Sequence, residues 1–469
     1  MRFKEVRAEL PQLLHLAVPL IAGELGWMAM SLVDTVMVGR LPHSAISLSA
    51  SALAQVLFNT LTFGTGGVLL GLDTLISQAF GAKALPQANR WLLHGLVLAV
   101  GLAAALTALL LLVPPLLFLL PVNHEVVGLA APALRGLAYG ALPLLLYFTL
   151  RRYLQAANHG RSIALALISA NVVNAVGDWL LMFGHHFSFG FFTLNLRAYG
   201  VLGSSWSTSF SRLYLMVFLL AAMVLADRKH RYGVRASVRD KVSRRIEMQH
   251  LRKLFLLGAP AGAQIFVEIA IFALVTTLIA TFGPLPLAGH EVALQCASTS
   301  FMVPFAISSA TAVRVGRAIG RVRAGFGAAH EIAAAGWTGI AAGALVMLVA
   351  SAFFVTIPTH IARLFTPDPG VIAAAVPLLF VAAGFQFFDG IQITATGALR
   401  GAGNTTAPFY TQLICFWAFA MPLGVLLGFH FKMGAVGLWW GLLIALTGAA
   451  LALLYFWHRT STRLVTAST

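Results

Sequence analysis

Long apolar runs follow one another along most of the chain, separated by short polar segments. A membrane helix needs about 20 mostly apolar residues. Twelve runs of that kind are predicted, at 11–38, 46–80, 91–120, 126–150, 162–184, 200–226, 254–282, 288–315, 332–357, 370–398, 407–430 and 434–457. Gly and Pro recur inside them, including Pro19, Pro143, Pro304, Pro377 and Pro422. A membrane bundle tolerates this, because neighbouring helices and Ser/Thr side chains re-satisfy the freed backbone groups. The basic start, Met1 to Leu20, leads into an apolar stretch that continues past Asp34 without a convincing small-residue cleavage site. It reads as a first membrane helix that stays in the protein.

The longest polar stretch, Asp227 to Lys253, holds ten basic residues and divides the chain near its middle. The two halves carry matching segments. LQAANHG (Leu154–Gly160) pairs with LRGAGNT (Leu399–Thr405), GVLG (Gly200–Gly203) with GAVG (Gly434–Gly437), and SQAFGA (Ser77–Ala82) with GRAIGR (Gly316–Arg321), each offset by about 240 residues. Six spans per copy make parallel repeats about an axis along the membrane normal. The expected fold is therefore an all-α polytopic membrane protein, with twelve transmembrane helices in two pseudo-symmetric six-helix lobes. The expected divisions are an N-lobe at 1–226, a basic cytoplasmic linker at 227–253, a C-lobe at 254–458 and a cytoplasmic tail at 459–469.

Composition agrees with a bilayer protein. The 469 residues are 59% hydrophobic and 10% charged, with a mean hydropathy of +0.87. A soluble domain carries roughly 25% charged residues. This excludes most cytosolic enzymes, and it excludes disorder, which needs low hydrophobicity. The net charge of +16 resembles a nucleic-acid binder's, but the position of the charges argues otherwise. With the N-terminus inside, 25 of the 31 Lys and Arg fall on cytoplasmic segments, Arg151 and Arg152 among them, four fall on the opposite side, and Arg135 and Arg212 lie within spans. That is a strong positive-inside signal with both termini cytoplasmic, and no nucleic-acid partner is expected. Cys296 and Cys415 suggest neither a disulfide framework nor a metal site. His185 and His186 have no Cys or carboxylate partner nearby and read as loop polarity. No Walker motif is present.

A carboxylate at mid-bilayer costs about 2.5–3.5 kcal/mol on insertion scales, so each one is a functional candidate. Glu24, Asp34, Asp178, Glu268 and Asp389 lie deep in spans. Asn171, Asn174 and Asp178 share one helical face. Asp34, Asn174 and Asp178, with the Thr208 hydroxyl, could supply the oxygens a hard cation wants. They could instead hold a proton, since two nearby carboxylates do not both stay ionised cheaply. An interhelical polar clamp is the structural alternative. Glu268 follows Gln264 by one turn, and Asp389 lies between Gln386 and Gln392. These acids suit capture of a proton, a metal cation or an organic cation. Trp27, Asn171, Phe385 and Phe388 share helices with the acids and could line a cavity for a flat cation. Glu24 could snorkel or form a pair.

VDTVMVGRL around Asp34, NVVNAVGDWLL around Asp178, Glu268, and DGIQITATGALRGAGNT from Asp389 resemble the multidrug and toxic compound extrusion (MATE) family, in its NorM-like bacterial branch. The resemblance covers essentially the whole chain. It implies export of cationic and amphipathic compounds in exchange for Na⁺ or H⁺, with no other cofactor, by a monomer in the bacterial inner membrane. It also implies that Asp34, Asn174 and Asp178 match the N-lobe cation or proton site, and Glu268 and Asp389 the C-lobe acids. Phe385 stands where some relatives have tyrosine, and the segment before the sixth span, HHFSFGFFTLNLRAYG, looks long. The competing expectation is a lipid-linked oligosaccharide flippase of a related fold, which calls for a cavity rich in Arg and Lys. A membrane transferase would need an interfacial His, Asp or Ser constellation, and none is found.

Overall fold

A computed structural model of the chain describes residues 3–118, 123–189, 192–240 and 245–466. Among the described residues, eleven helical spans are long and apolar enough to cross a membrane, or twelve if one broken pair counts as a span. The first is α1 (Phe3–Val38). The second is formed by α2 (Ser44–Gly67) and α3 (Gly71–Gly81), joined by a tight turn of helix, and α4 (Leu85–Leu117) is the third. The fourth predicted run is the broken pair, α5 (His124–Ala138) and α6 (Ala141–Ala156), bent by 45°. Next come α7 (Gly160–Phe183) and α8 (Val201–His230), then the short α9 (Val234–Arg239). The second half comprises α10 (Met248–Ala280), α11 (Pro284–Arg323), α12 (His330–Thr356), the short α13 (Pro358–Arg363) and α14 (Pro369–Gly401). It ends with the composite span of α15 (Thr406–Gln412) and α16 (Met421–Val425), followed by α17 (Gly434–Thr466).

The long segment before the sixth span is not irregular. It forms an antiparallel hairpin, β1 (His185–Phe189) with β2 (Phe192–Leu196), in which His185 lies opposite Leu196. The His185 ring centroid lies 3.8 Å from that of Trp179 with the planes tilted by 34°, and its Nε2 contacts the Trp179 carbonyl at 3.0 Å. Among the described residues no group of three metal-ligating side chains converges.

Contacts divide the chain into two compact units. One comprises Met1–Ile21, Asp73–Ala84 and Phe255–Thr469; the other comprises Ala22–Leu72 and Leu85–Leu254. The grouping thus differs from two continuous halves at the start of α1 and at α3, and the linker residues fall in the second unit. Within that second unit the linker is tied down. The Asp227 carboxylate accepts from the backbone N–H groups of Val234 and Arg235 at 3.1 Å each, starting α9. Asn89 donates to the Tyr232 carbonyl at 2.9 Å, and Arg90 pairs with Glu247.

Between helices in lipid there is no hydrophobic drive, so close packing and polar contacts hold them. Gly203 shows how the sequence achieves this. A Cβ there would lie 2.4 Å from the Leu181 carbonyl oxygen, so only glycine lets α8 close on α7. Overpacking of this kind costs about 1–3 kcal/mol. Gly203→Ala is expected to lower the thermal midpoint of the purified protein, and an unchanged midpoint would contradict this contact.

Ion pairs are the second device. Arg151 and Arg152 are not loop residues, because α6 runs on to Ala156 and buries both. Arg151 pairs with Glu24 of α1, both being almost fully out of solvent. In the other unit, Arg314 chelates Glu9 at 2.6 and 2.8 Å, and Arg400 lies 3.3 Å from Asp73.

Candidate functional site

The α7–α8 contact brings together most of the acids' expected partners in the second unit. Asn174 and Asp178 are one turn apart on α7 and are wholly buried; Asp34 of α1 is 2% exposed. The Asn174 amide donates from one nitrogen to both carboxylates, to Asp34 and, at 3.1 Å, to Asp178. Thr208 of α8 reaches Asp34 at 3.4 Å. Ser207, one residue earlier, donates to the Asn174 carbonyl at 2.8 Å and so fixes the backbone beneath the amide.

Two acceptor atoms are left over. Asp178 Oδ1 and Asn174 Oδ1 are buried and have no hydrogen-bond partner. An orphaned buried oxygen is costly. Two neighbouring carboxylates out of water, beside these two spare oxygens, call for a positive charge between them, whether a proton or a small hard cation. The oxygens of Asp34, Asp178, Asn174 and Thr208 are the right chemistry for either.

Arg212 is a partner that sequence reasoning does not assign to this cluster. It lies one turn beyond Thr208 on α8, is 5% exposed, and acts electrostatically on Asp34. Its guanidinium sits 4.0 Å over the Phe58 ring, and its Nε and Nη1 have no hydrogen-bond partner. The signal is present in the sequence as the one basic residue of the sixth span, at i+4 from Thr208. Asn171, by contrast, is not part of this cluster. Its amide donates to the Gly26 carbonyl at 2.9 Å and to that of Leu167 at 2.8 Å, which clamps α7 to α1. Trp27, half-buried, stacks on Tyr147 with centroids 6.4 Å apart.

The other unit holds the second group of acids. Asp389 on α14 is 4% exposed and lies within electrostatic reach of Glu268 on α10. Gln412 of α15 lies near Glu268, and neither of its buried amide atoms has a hydrogen-bond partner. Gln264 is buried, and Gln386 donates to Ser300 of α11. Polar atoms without a protein partner run along α14, at Gln386 Oε1, both amide atoms of Gln392, and Thr396 Oγ1. Phe385 is enclosed between Phe272 and Trp439 at 6.2 and 5.9 Å, and Phe388 packs at the margin of the same apolar cluster.

The MatE family profile matches residues 19–180 and 260–426, which contain Glu24, Asp34, Asp178, Glu268 and Asp389. The chain belongs to the MatE family. It is therefore a polytopic membrane protein of a transporter family rather than an enzyme. Among relatives of this MatE chain, the probable multidrug resistance protein NorM of Geobacillus kaustophilus is 33% identical over 444 residues, covering 94% of this chain and 93% of that protein. The multidrug resistance protein PmpM of Pseudomonas aeruginosa is 31% identical over 466 residues, 98% of this chain and 93% of its own. The crystal structure of the eukaryotic MATE transporter AtDTX14 shares the fold, with a TM-score of 0.83 at 21% identity over 99% of this chain and all of that one.

Proposed function

We propose that this protein is a secondary antiporter that exports cationic or amphipathic organic compounds in exchange for Na⁺ or H⁺, by alternating access of its two lobes. The carrying observation is the buried Asp34–Asn174–Asp178 cluster with its unpartnered oxygens. Such a cluster holds a proton or a small cation favourably, because burial and a neighbouring carboxylate both disfavour two bare charges. The naming of several relatives as multidrug resistance proteins supports the same reading. In this account Asp34, Asn174, Asp178 and Thr208 take the coupling ion, while Glu268 and Asp389, with Gln264 and Gln386, take the cationic cargo. The chain works as a monomer in the bacterial inner membrane with both termini in the cytoplasm.

Buried arginines are the feature the flippase alternative requires, and the second unit contains Arg151, Arg152 and Arg212. Arg151 is neutralised by Glu24, Arg152 donates to Gln155 at 3.2 Å and Arg212 acts on Asp34, so each is engaged within the unit.

Dye efflux from vesicles under separately imposed sodium and proton gradients tests the function. Efflux driven by one of them supports antiport, and efflux indifferent to both refutes it. Glu268→Gln and Asp389→Asn keep shape and remove charge. Each is expected to cut efflux at least tenfold while the protein inserts normally. Wild-type export of a cationic dye by both variants would remove the C-lobe acids from the mechanism.

A further inference from the structure

SQAFGA and GRAIGR, the segments matched between the halves, meet within the unit that contains both. A Cβ on Gly81 would lie 2.1 Å from the Arg317 carbonyl oxygen, and one on Gly320 would lie 2.0 Å from that of Gln78. Reciprocal glycines thus press the end of α3 against the end of α11. Beside this contact is a cavity of about 230 Å³, walled by Phe80 and Ala318 and lined by the charged groups Glu9, Lys83, Arg314, Arg317, Arg321 and Glu331.

Four of the lining side chains are cationic and two are carboxylates. The carboxylates are already engaged. Arg314 holds both Glu9 oxygens, and Glu331 pairs with Arg321 while its other oxygen accepts from the Ala328 N–H at 3.3 Å. Lys83 forms no ion pair among the described residues. It lies in the turn after α3 in the left-handed region, at φ +56°, and holds its ammonium 4.8 Å over the Phe326 ring. Arg321 Nε is buried without a hydrogen-bond partner. The cavity therefore combines a fixed frame, the unpaired Lys83 ammonium and a spare Nε on Arg321, all at one end of the apolar part of α11. Guanidinium forks match phosphate oxygens, and an ammonium adds a point charge.

We propose that this cavity binds a phosphate-bearing anion, held chiefly by Lys83 and Arg321. The shared chemistry is a phosphate group, and its source is either the headgroup of an anionic lipid or free phosphate. Delipidated protein in neutral detergent, titrated with phosphatidylglycerol, with phosphatidylcholine and with inorganic phosphate, provides the test, read by thermal stabilisation. Phosphatidylglycerol is expected to bind about fivefold or more tightly than phosphatidylcholine, and Lys83→Gln to weaken it about fivefold, the worth of one basic residue at a membrane surface. The preference is expected to shrink as salt rises. Displacement of the lipid by inorganic phosphate identifies free phosphate as a competent occupant, and resistance to displacement identifies the lipid; both support the site. Arg321→Gln also breaks the Glu331 pair, whereas Lys83→Gln breaks none, so the second variant decides if the first misfolds. Equal binding of phosphatidylglycerol to wild type and Lys83→Gln, or binding of neither lipid headgroup nor phosphate, overturns the proposal.

Discussion

Asp34→Asn is expected to uncouple the protein rather than merely weaken it. A proton or Na⁺ entering down a 100 mV potential releases about 2.3 kcal/mol per charge. Exporting a monovalent cation costs the same, so a one-for-one exchange runs on the chemical gradient of the coupling ion alone. The ion site must then differ in affinity between the two facing states, because a ligand shifts an equilibrium only by its differential affinity. Asp34 is the member of the cluster on α1, joined to α7 through Asn174. Ion occupancy there is proposed to change the packing of α1 and weaken cargo binding. Coupling is reciprocal, and linkage of this kind is typically about 5–150-fold in affinity. Cargo bound to the wild type should lower ion affinity by a factor in that range, and Asp34→Asn should erase the effect while leaving some cargo binding. Isothermal titration showing that ion and cargo bind independently in the wild type rules this mechanism out.

Removing one partner of the Glu24–Arg151 pair should produce the largest loss of stability. The pair is buried, with side-chain exposures of 5% for Arg151 and 7% for Glu24. Breaking such a pair leaves a naked charge and costs about 3–5 kcal/mol, whereas replacing both members by apolar residues is often neutral. Glu24→Gln and Arg151→Met are each expected to lower the unfolding midpoint sharply. Glu24→Leu combined with Arg151→Met should recover most of the loss. Singles that unfold with the wild type, or a double variant that loses as much as the two singles together, would show that the pair is not a closed unit.

Hydropathy finds the spans because length and apolar content are local properties, fixed residue by residue. Asp34, Asn174, Asp178 and Thr208 are legible for a similar reason: a carboxylate or amide inside an apolar run is rare enough to stand out on its own. Links between distant parts of the chain are harder to read. Arg151 and Arg152 follow an apolar run and look like the start of a loop; only the contact with Glu24, 127 residues away, explains why the helix carries them inward. Gly140, beside Tyr139, sits at the break in the fourth run, and a single glycine in a membrane span gives no warning of a 45° bend. The hairpin before α8 has a signal that the span count obscures. Phe187, Ser188 and Phe189, then Leu194, Asn195 and Leu196, alternate apolar and polar with period two.

Between α15 and α17 the backbone departs from the α pattern twice, at Leu413–Ala420 and Leu426–His430, where the bonds run from residue i to i+5. Each such stretch contains slack relative to an α-helix. The slack flanks Pro422, which cannot donate a backbone bond. It also sets the angular phase of the residues beyond it, since one residue of α-helix turns the chain by about 100°. Gly424 and Gly428 face α17 closely enough that a Cβ on Gly441 or Gly437 would come within 2.6 Å of them. Deleting a single residue from Leu413–Ala420 would keep the span helical and apolar, and long enough to cross, yet it would swing that glycine face away from α17. In this span the number of residues acts as a vernier: composition and length would pass every hydropathy test while the interface was lost.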